Sequence, residues 1–201
     1  MRVEAMAVEF PEVSGHPNRL PFAGVLTLVD VASDKAPSGA RGHKVILTRA
    51  AAEAALPSLL GMAVDFKAGW DGHDARQKCG IITAAEVVGK ELRVSGYLFA
   101  RDFSEMVDEM RAHGEDALGM SYELADAHVV DMRASVWTLS KATFTGAAIL
   151  LREKAAYKST SFRLEAEGER RCRLFPRARG VQRGRGERVV PSRVERRSLR
   201  G

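Results

Sequence analysis

Two residues in this sequence have the side-chain types of a hydrolytic pair, Ser121 and His73. Ser121 ends the motif Gly119-Met120-Ser121, inside an alternating apolar run that is typical of a strand. His73 lies in a polar, glycine-bearing loop, residues 69–74, directly before the next apolar run. Loops at strand ends commonly carry catalytic groups. A histidine that takes the serine proton would turn the hydroxyl into a nucleophile, which is the chemistry of serine hydrolases.

Neither residue is diagnostic by itself. A serine on a strand is commonly structural, and a loop histidine is commonly solvated. The second glycine of the G-x-S-x-G motif is missing after Ser121, so the strand-to-helix nucleophile turn of α/β-hydrolases is not predicted. Cys79 offers a thiol alternative, but a free cysteine at a strand entrance usually packs as a small apolar residue. No His-Glu or Cys-His spacing resembles a metal site, so neither a metal nor a cofactor is expected.

The elements that must position these residues are mostly strands. Apolar runs with β-branched residues predict strands at 3–10, 24–31, 43–47, 81–88, 92–99, 118–124, 129–139 and 142–150. Gly89-Lys90 predicts the turn of a hairpin over residues 86–98. One helix is predicted from Thr48 to Gly61, and a second from the stripe Phe103, Met106, Val107 and Met110. Strands outnumber helices, which indicates a mainly β fold with flanking helices.

Composition divides the chain into a folded part and a tail. The 45% hydrophobic content of the 201 residues suits one domain of ordinary size. Residues 163–201 hold 13 Arg, no Lys and five acids, or +8, and subtracting this from the net +5 leaves −3 for residues 1–162. Repeated Arg-Gly pairs without apolar periodicity predict a disordered tail. We therefore place a domain at 1–162 and the tail at 163–201, and only the tail would attract nucleic acid.

Targeting signals and cross-links are not predicted. No stretch approaches the roughly 20 apolar residues of a membrane span, and the first ten residues lack the pattern of a signal peptide. No contact with a membrane is expected. The two cysteines, Cys79 and Cys172, are far apart in the sequence, which predicts reduced thiols rather than a disulfide framework.

The order of these motifs resembles the tailed-phage prohead protease family. A His-Asp loop (His73-Asp74) precedes Gly80-Ile81-Ile82, the hairpin, the acidic amphipathic helix and then Gly119-Met120-Ser121-Tyr122. The segment 141–150 is similar to the family's closing Val-Thr-Phe-Pro-Ala-Asn strand, although Thr145-Gly146-Ala147 stands in place of Pro-Ala-Asn. The resemblance covers about residues 24–157 and rests on ordered elements rather than on one pattern.

This resemblance implies a fold like that of herpesvirus assemblin, a closed β-barrel surrounded by helices. It implies a serine endopeptidase that cleaves the capsid scaffold or major capsid precursor, and itself, inside the assembling prohead in the bacterial cytoplasm. Ser121 takes the role of nucleophile and His73 that of base. A homodimer, as in assemblin, is left open. The alternative is a catalytically inactive capsid-assembly or scaffold protein with the same barrel.

The third catalytic residue departs from the family pattern. Family members often carry a glutamate six residues before the phenylalanine of the closing strand, where this chain has Thr138. Asp131 is our prediction for the group that orients His73, and His128 is the alternative. Asp74 is adjacent to His73 but is expected to point elsewhere.

Overall fold

The computed structural model describes residues 6–8, 15–114 and 116–165. The part of the predicted tail beyond Glu165, with Cys172, lies outside these residues. The strands are β1 (Met6–Ala7), β2 (Leu20–Leu28), β3 (Lys44–Leu47), β4 (Ala63–Phe66), β5 (Lys78–Val88), β6 (Glu91–Leu98), β7 (Leu118–Val129), β8 (Val136–Leu151) and β9 (Ser161–Leu164). They confirm the predicted mainly β fold.

The nine strands of the described residues belong to one sheet, whose hydrogen-bonded path runs β3-β8-β4-β5-β6-β2-β9. β7 pairs with β8, and β1 pairs with β5. The long strand β8 organises the sheet, because β3 and β4 pair with its two halves in parallel, at Val136–Leu139 and Ala147–Ile149, while β7 runs antiparallel along it. The sheet thus joins segments that are distant in sequence at β8.

The predicted closed barrel is wrong. Among the described strands, β7 is hydrogen-bonded only to β8 and β9 only to β2, so no ladder closes the sheet, and a barrel needs a continuous one. β7 instead meets β2 and β9 through packing. At Gly24, a Cβ would lie 2.8 Å from Met120 Sδ, and at Gly119 it would lie 2.6 Å from Thr160 Oγ1. These close approaches cover the edge of β7 without backbone pairing.

Both predicted helices form where expected. α1 (Arg49–Ala55) begins after Thr48, whose side chain accepts a hydrogen bond from Ala51 N, and continues as a 3-10 turn at Leu56–Leu59. α2 (Ser104–His113) buries Met106, Val107 and Met110 of the predicted apolar stripe, whereas Phe103, the first member, precedes the helix as its N-cap residue. These three side chains are part of the hydrophobic core.

The strand predictions hold for the hairpin and fail near residue 130. Gly89 adopts a positive φ of 59° in the β5–β6 turn, as a tight hairpin requires. The predicted strand 129–139 is interrupted, because the Asp131 carboxylate accepts a hydrogen bond from Arg133 N and forms a turn between β7 and β8. β4 and β9 were not predicted. Both have four residues, as does β3, but Asp65 interrupts the apolar run of β4, and β9 lies across the start of the predicted tail.

The predicted domain boundary at residue 162 falls inside β9. Phe162 is 1% exposed and stacks on Phe22 of β2 with ring centroids 5.1 Å apart. The folded part of the chain therefore includes at least Leu164. None of the helices in the described ranges has the length and apolar composition needed to cross a membrane.

Candidate active site

Three neighbouring strands align the residues of the candidate site in one row. Asp65 of β4 pairs with Ala148 of β8, and Ala148 pairs with Ser121 of β7. Side chains at paired positions point to the same face of a sheet. Asp65 and Ser121 therefore flank Ala148 on one face, about 10 Å apart at two strand spacings. The gap is wide enough for a side chain from outside the sheet to bridge them.

His73 bridges this row from the loop between β4 and β5. Its Nε2 lies 3.1 Å from Ser121 Oγ, and its Nδ1 lies 3.5 Å from Asp65 Oδ1. The imidazole spans the position of Ala148, which is fully buried. A small residue between the two polar ones leaves space for the ring. The structure thus brings together the predicted pair, His73 and Ser121.

Buried contacts of Trp70 hold the His73 loop in place. Trp70 is 3% exposed, and its Nε1 donates a hydrogen bond to Glu109 Oε2 of α2 at 3.1 Å. Its carbonyl accepts a hydrogen bond from Leu151 N of β8 at 2.8 Å. Trp70 has a φ of 55°, an uncommon conformation for a bulky residue. These contacts attach the loop to both α2 and β8, so they limit the movement of His73.

Asp65 is an ionised carboxylate behind the imidazole. Its side chain is 1% exposed, and its Oδ2 lies 2.8 Å from Lys78 Nζ. Asp74 N also approaches Oδ1 at 3.3 Å. Burial by itself raises the pKa of the Asp65 carboxyl, but the neighbouring His73 and Lys78 side chains outweigh it, so the pKa lies below its ordinary value of 3.8.

The charge on Asp65 selects one tautomer of His73. A carboxylate can only accept hydrogen bonds, so the ring proton belongs on Nδ1, facing Asp65. Nε2 then presents its lone pair to Ser121 Oγ. Nδ1 is buried and makes no hydrogen bond of good geometry in the described part of the chain. Contacts of this kind are often long without substrate and tighten when it binds.

Gly119 of the Gly-x-Ser motif has a packing role. It lies two residues before Ser121 on the same face of β7, where a Cβ would come within 2.6 Å of Thr160 Oγ1 and 3.2 Å of Arg152 Cα. A larger residue would push these segments away from the row that carries Ser121. The absence of a side chain therefore allows the chain after β8 to cover this end of the site.

The predicted orienting residues do not reach His73. His128 lies seven residues from Ser121 along β7, or about 20 Å, and its Nδ1 contacts Ser140 Oγ. Asp131 is in the turn beyond β7, where Arg133 N occupies its carboxylate. Thr138 pairs with Ile46 at the far end of β8. The expectation that Asp131 or His128 orients His73 is therefore not met.

Asp74 points away, as expected from the sequence, because its carboxylate binds Arg76. Asp65 occupies the orienting position, and the sequence alone did not predict it. One signal was present, namely an acidic residue within the apolar run Ala63–Phe66. A carboxylate in a buried strand needs a partner, which makes such a position a candidate for function.

Cys79 is not suited to nucleophilic chemistry. It is fully buried, its thiol contacts Val64 O at 3.5 Å, and burial raises its pKa to about 12. Nucleophilic cysteines have lowered pKa values and partial exposure. Within the described residues, no group of three or more His, Cys, Asp or Glu side chains is arranged to hold a metal ion.

Comparisons with known proteins add little to this geometry. No protein-family model matches the sequence, and no curated protein matches it. Among solved structures, the chain is similar to KSHV protease in its complex with a hexapeptide phosphonate inhibitor, with 10% identity and a TM-score of 0.38. The alignment covers 73% of this chain and 66% of the protease, slightly less than two thirds. The functional assignment therefore rests on the site.

Proposed function

We propose that this chain is a serine hydrolase in which Ser121 is the nucleophile, His73 is the general base and Asp65 positions the imidazole. One observation carries the proposal, namely the 3.1 Å contact between His73 Nε2 and Ser121 Oγ with a buried carboxylate on the other ring nitrogen. A serine that contacts a histidine, which in turn contacts a carboxylate, is the arrangement that activates a serine hydroxyl as a nucleophile.

The reaction proceeds in two stages. Ser121 Oγ attacks a carbonyl carbon while its proton passes to His73 Nε2, and a tetrahedral intermediate forms. His73 then returns this proton to the leaving nitrogen, the bond between carbon and nitrogen breaks, and an acyl group remains on Ser121. Water next attacks the acyl carbon and gives one proton to His73 Nε2, so a second tetrahedral intermediate forms. The bond between this carbon and Ser121 Oγ then breaks, Nε2 returns the proton to Oγ, and the acid leaves.

Asp65 acts on both stages through charge and orientation. The imidazole carries a positive charge once it has taken the serine proton, and the ionised Asp65 stabilises that charge across 3.5 Å. Lys78 at 2.8 Å keeps the carboxylate ionised in spite of its burial. The carboxylate also disfavours the tautomer in which Nε2 carries the proton and cannot act as a base.

We further propose that the substrate is a polypeptide, namely the scaffold or major capsid precursor of a tailed phage and the chain itself. The support is the order of motifs along the sequence, from His73-Asp74 through the hairpin and α2 to Gly119-Met120-Ser121. On this proposal the enzyme acts inside the assembling prohead in the bacterial cytoplasm, and it can act as a homodimer.

Covalent labelling tests the chemistry. The full-length chain is treated with a peptide diphenyl phosphonate, which reacts with activated serines, and the modified residue is located by peptide mass spectrometry. We expect one adduct on Ser121, none in Ser121→Ala, and an unchanged adduct in Ser140→Ala. A correctly folded chain that takes up no phosphonate would contradict the hydrolase and favour the inactive assembly protein.

Co-expression tests the biological role separately. The chain is produced together with the capsid precursor of the same virus, and the precursor's termini are read by mass spectrometry. We expect cleavage with the wild type and an intact precursor with Ser121→Ala. Labelling of Ser121 without cleavage of the precursor would leave a serine hydrolase but would remove the role in prohead maturation.

A further inference from the structure

A second carboxylate, Glu123, faces the same ring nitrogen of His73 as Asp65. Glu123 Oε1 lies 4.0 Å from His73 Nδ1, against 3.5 Å for Asp65 Oδ1. The two acids differ in environment, since the Glu123 side chain is 56% exposed and that of Asp65 is 1% exposed. His73 Nδ1 is itself buried and forms no good hydrogen bond with either in the described structure. Its proton therefore lies between two acceptors.

The sheet places Glu123 there for a geometric reason. Glu123 is two residues after Ser121 on β7, and residues i and i+2 of a strand lie on one face. The position across the ladder on β8 is Gly146. A Cβ on Gly146 would lie 2.6 Å from Glu123 Oε2 and 3.4 Å from Glu123 Cβ. The glycine thus leaves the space in which the Glu123 side chain lies against the sheet, next to His73.

Few other charges act on His73. From β4 it faces Asp65, whose second oxygen is bound to Lys78 of β5. On its own loop, the Asp74 carboxylate is turned to Arg76. From β7 it faces Glu123, for which the described residues provide no ion pair other than His73. Glu123 is therefore the acid near His73 that has no cation of its own.

We propose that Glu123 is a second positioning residue of His73, held in place by the missing side chain at Gly146, and that it stabilises the imidazolium formed during hydrolysis. This inference rests on the proposed function. An opposite charge at 4–6 Å favours the charged form of a histidine. Because Glu123 is exposed, its effect decreases with salt, whereas that of the buried Asp65 changes little.

The test compares two variants that remove the same contact in different ways. Glu123→Gln removes the charge and keeps the shape, and Gly146→Ala keeps the charge but displaces the carboxylate. Gly39→Ala is the control, because a Cβ there meets nothing within 4 Å. His73 is followed without substrate by proton NMR as a function of pH, its signal being identified by its loss in His73→Gln. Hydrolysis of a peptide substrate is measured over the same pH range.

In both variants the titration midpoint of His73 should move to lower pH, and the change should be smaller in 1 M salt than at low salt. The sign follows because losing a nearby negative charge disfavours the protonated ring. The acid limb of kcat/KM should move with it, and kcat should fall about threefold with little change in KM. Gly39→Ala should match the wild type. If Gly146→Ala does not fold, Glu123→Gln decides the question alone.

Three results would overturn the proposal. One is an unchanged midpoint in Glu123→Gln. Another is a midpoint shift as large in Gly39→Ala as in the other two variants. The third is a higher KM for peptides with a basic residue and an unmoved acid limb, which would make Glu123 a substrate contact. The NMR titration needs no turnover, so a chain that hydrolyses nothing would refute the proposed function while the link between Glu123 and His73 could still be measured.

Discussion

In the described residues, a histidine ring contacts a serine hydroxyl at two places, and only one of them has the surroundings expected of a catalytic pair. His73 Nε2 lies 3.1 Å from Ser121 Oγ, and His128 Nδ1 lies 2.8 Å from Ser140 Oγ. The second contact is the shorter one. Both involve the β7–β8 ladder, Ser121 near one end and Ser140 near the other. The distance between the two side chains therefore does not separate a hydrolytic pair from an incidental one.

The surroundings of the imidazole separate the two pairs. His73 has a buried carboxylate on its second nitrogen and lies on a loop attached through Trp70 to α2 and β8. His128 and Ser140 are exposed, and no carboxylate in the described ranges forms an ion pair with His128. An exposed pair competes with water and has no fixed tautomer. The comparison shows that the orienting group, rather than the contact itself, identifies the site.

The largest expected difference between the pairs is at the serines. Ser121→Ala should abolish phosphonate labelling and reduce peptide hydrolysis by at least about 10⁴-fold, because the covalent route is lost. Ser140→Ala should keep hydrolysis within about twofold of the wild type. Steady-state rates of the purified full-length variants measure both. Equal losses in the two variants would show that the structure does not distinguish the pairs.

The histidines should differ by a somewhat smaller factor. His73→Ala should lower kcat/KM by about 10³-fold at neutral pH, within the range typical of general-base catalysis. His128→Ala, and likewise His16→Ala and His113→Ala, should change it by less than about threefold. The same peptide assay applies, with circular dichroism as a check of folding. If His128→Ala were the impaired variant, His73 would lose its assignment as the base.

The carboxylates Asp65 and Asp131, neither of which contacts the reacting serine, should also differ in their effect on activity. Asp65→Asn should reduce kcat by about 10²-fold with little change in KM, since an amide can hold the wrong tautomer of His73. Asp131→Asn, at the residue suggested by the sequence, should retain full activity because its carboxylate binds Arg133 N. Full activity in Asp65→Asn together with a dead His73→Ala would indicate a Ser-His dyad.

The smallest expected effect concerns Lys78, which forms an ion pair with Asp65. Within the described residues, His128 has no such carboxylate and lysine beside it. The lowered pKa of Asp65 adds stability that is present above its ordinary value of 3.8 and is lost as the pH falls through the lowered value. Lys78→Met removes one cause of the lowering, so acid unfolding should begin at higher pH. We expect a loss of about 1 kcal/mol at neutral pH, discounted because the Lys78 side chain is 38% exposed.

The control for this prediction is Lys67→Met, which breaks the exposed ion pair with Asp71. Its acid unfolding, followed by circular dichroism from pH 7 to pH 2, should match that of the wild type. An identical acid-unfolding curve for Lys78→Met and the wild type would show that Lys78 does not control the ionisation of Asp65.

Parts of the fold that depend on residues close together in the sequence were predictable. The Gly89 turn defines the β5–β6 hairpin, and the spacing of Met106, Val107 and Met110 defines the buried face of α2. The turn at Asp131 was missed, although an aspartate that can bond to the backbone two residues later is a known turn signal. The short strands β4 and β9 lack the continuous apolar run that made the equally short β3 predictable, and pairing with distant strands makes them strands.

By itself, the sequence determined which residues could react. It placed Ser121 on a strand and His73 on a loop, because alternation and glycine content are local properties. Only the tertiary structure decided which acids stand beside them. Asp65 reaches the site because β4 pairs in parallel with β8 at Ala147 and Ala148, more than 80 residues later. The alternation of side chains along a strand shows which face of the sheet a residue lies on, but it does not show which strand pairs with it. Asp65 and Glu123 therefore could not be assigned to His73 before the sheet was known.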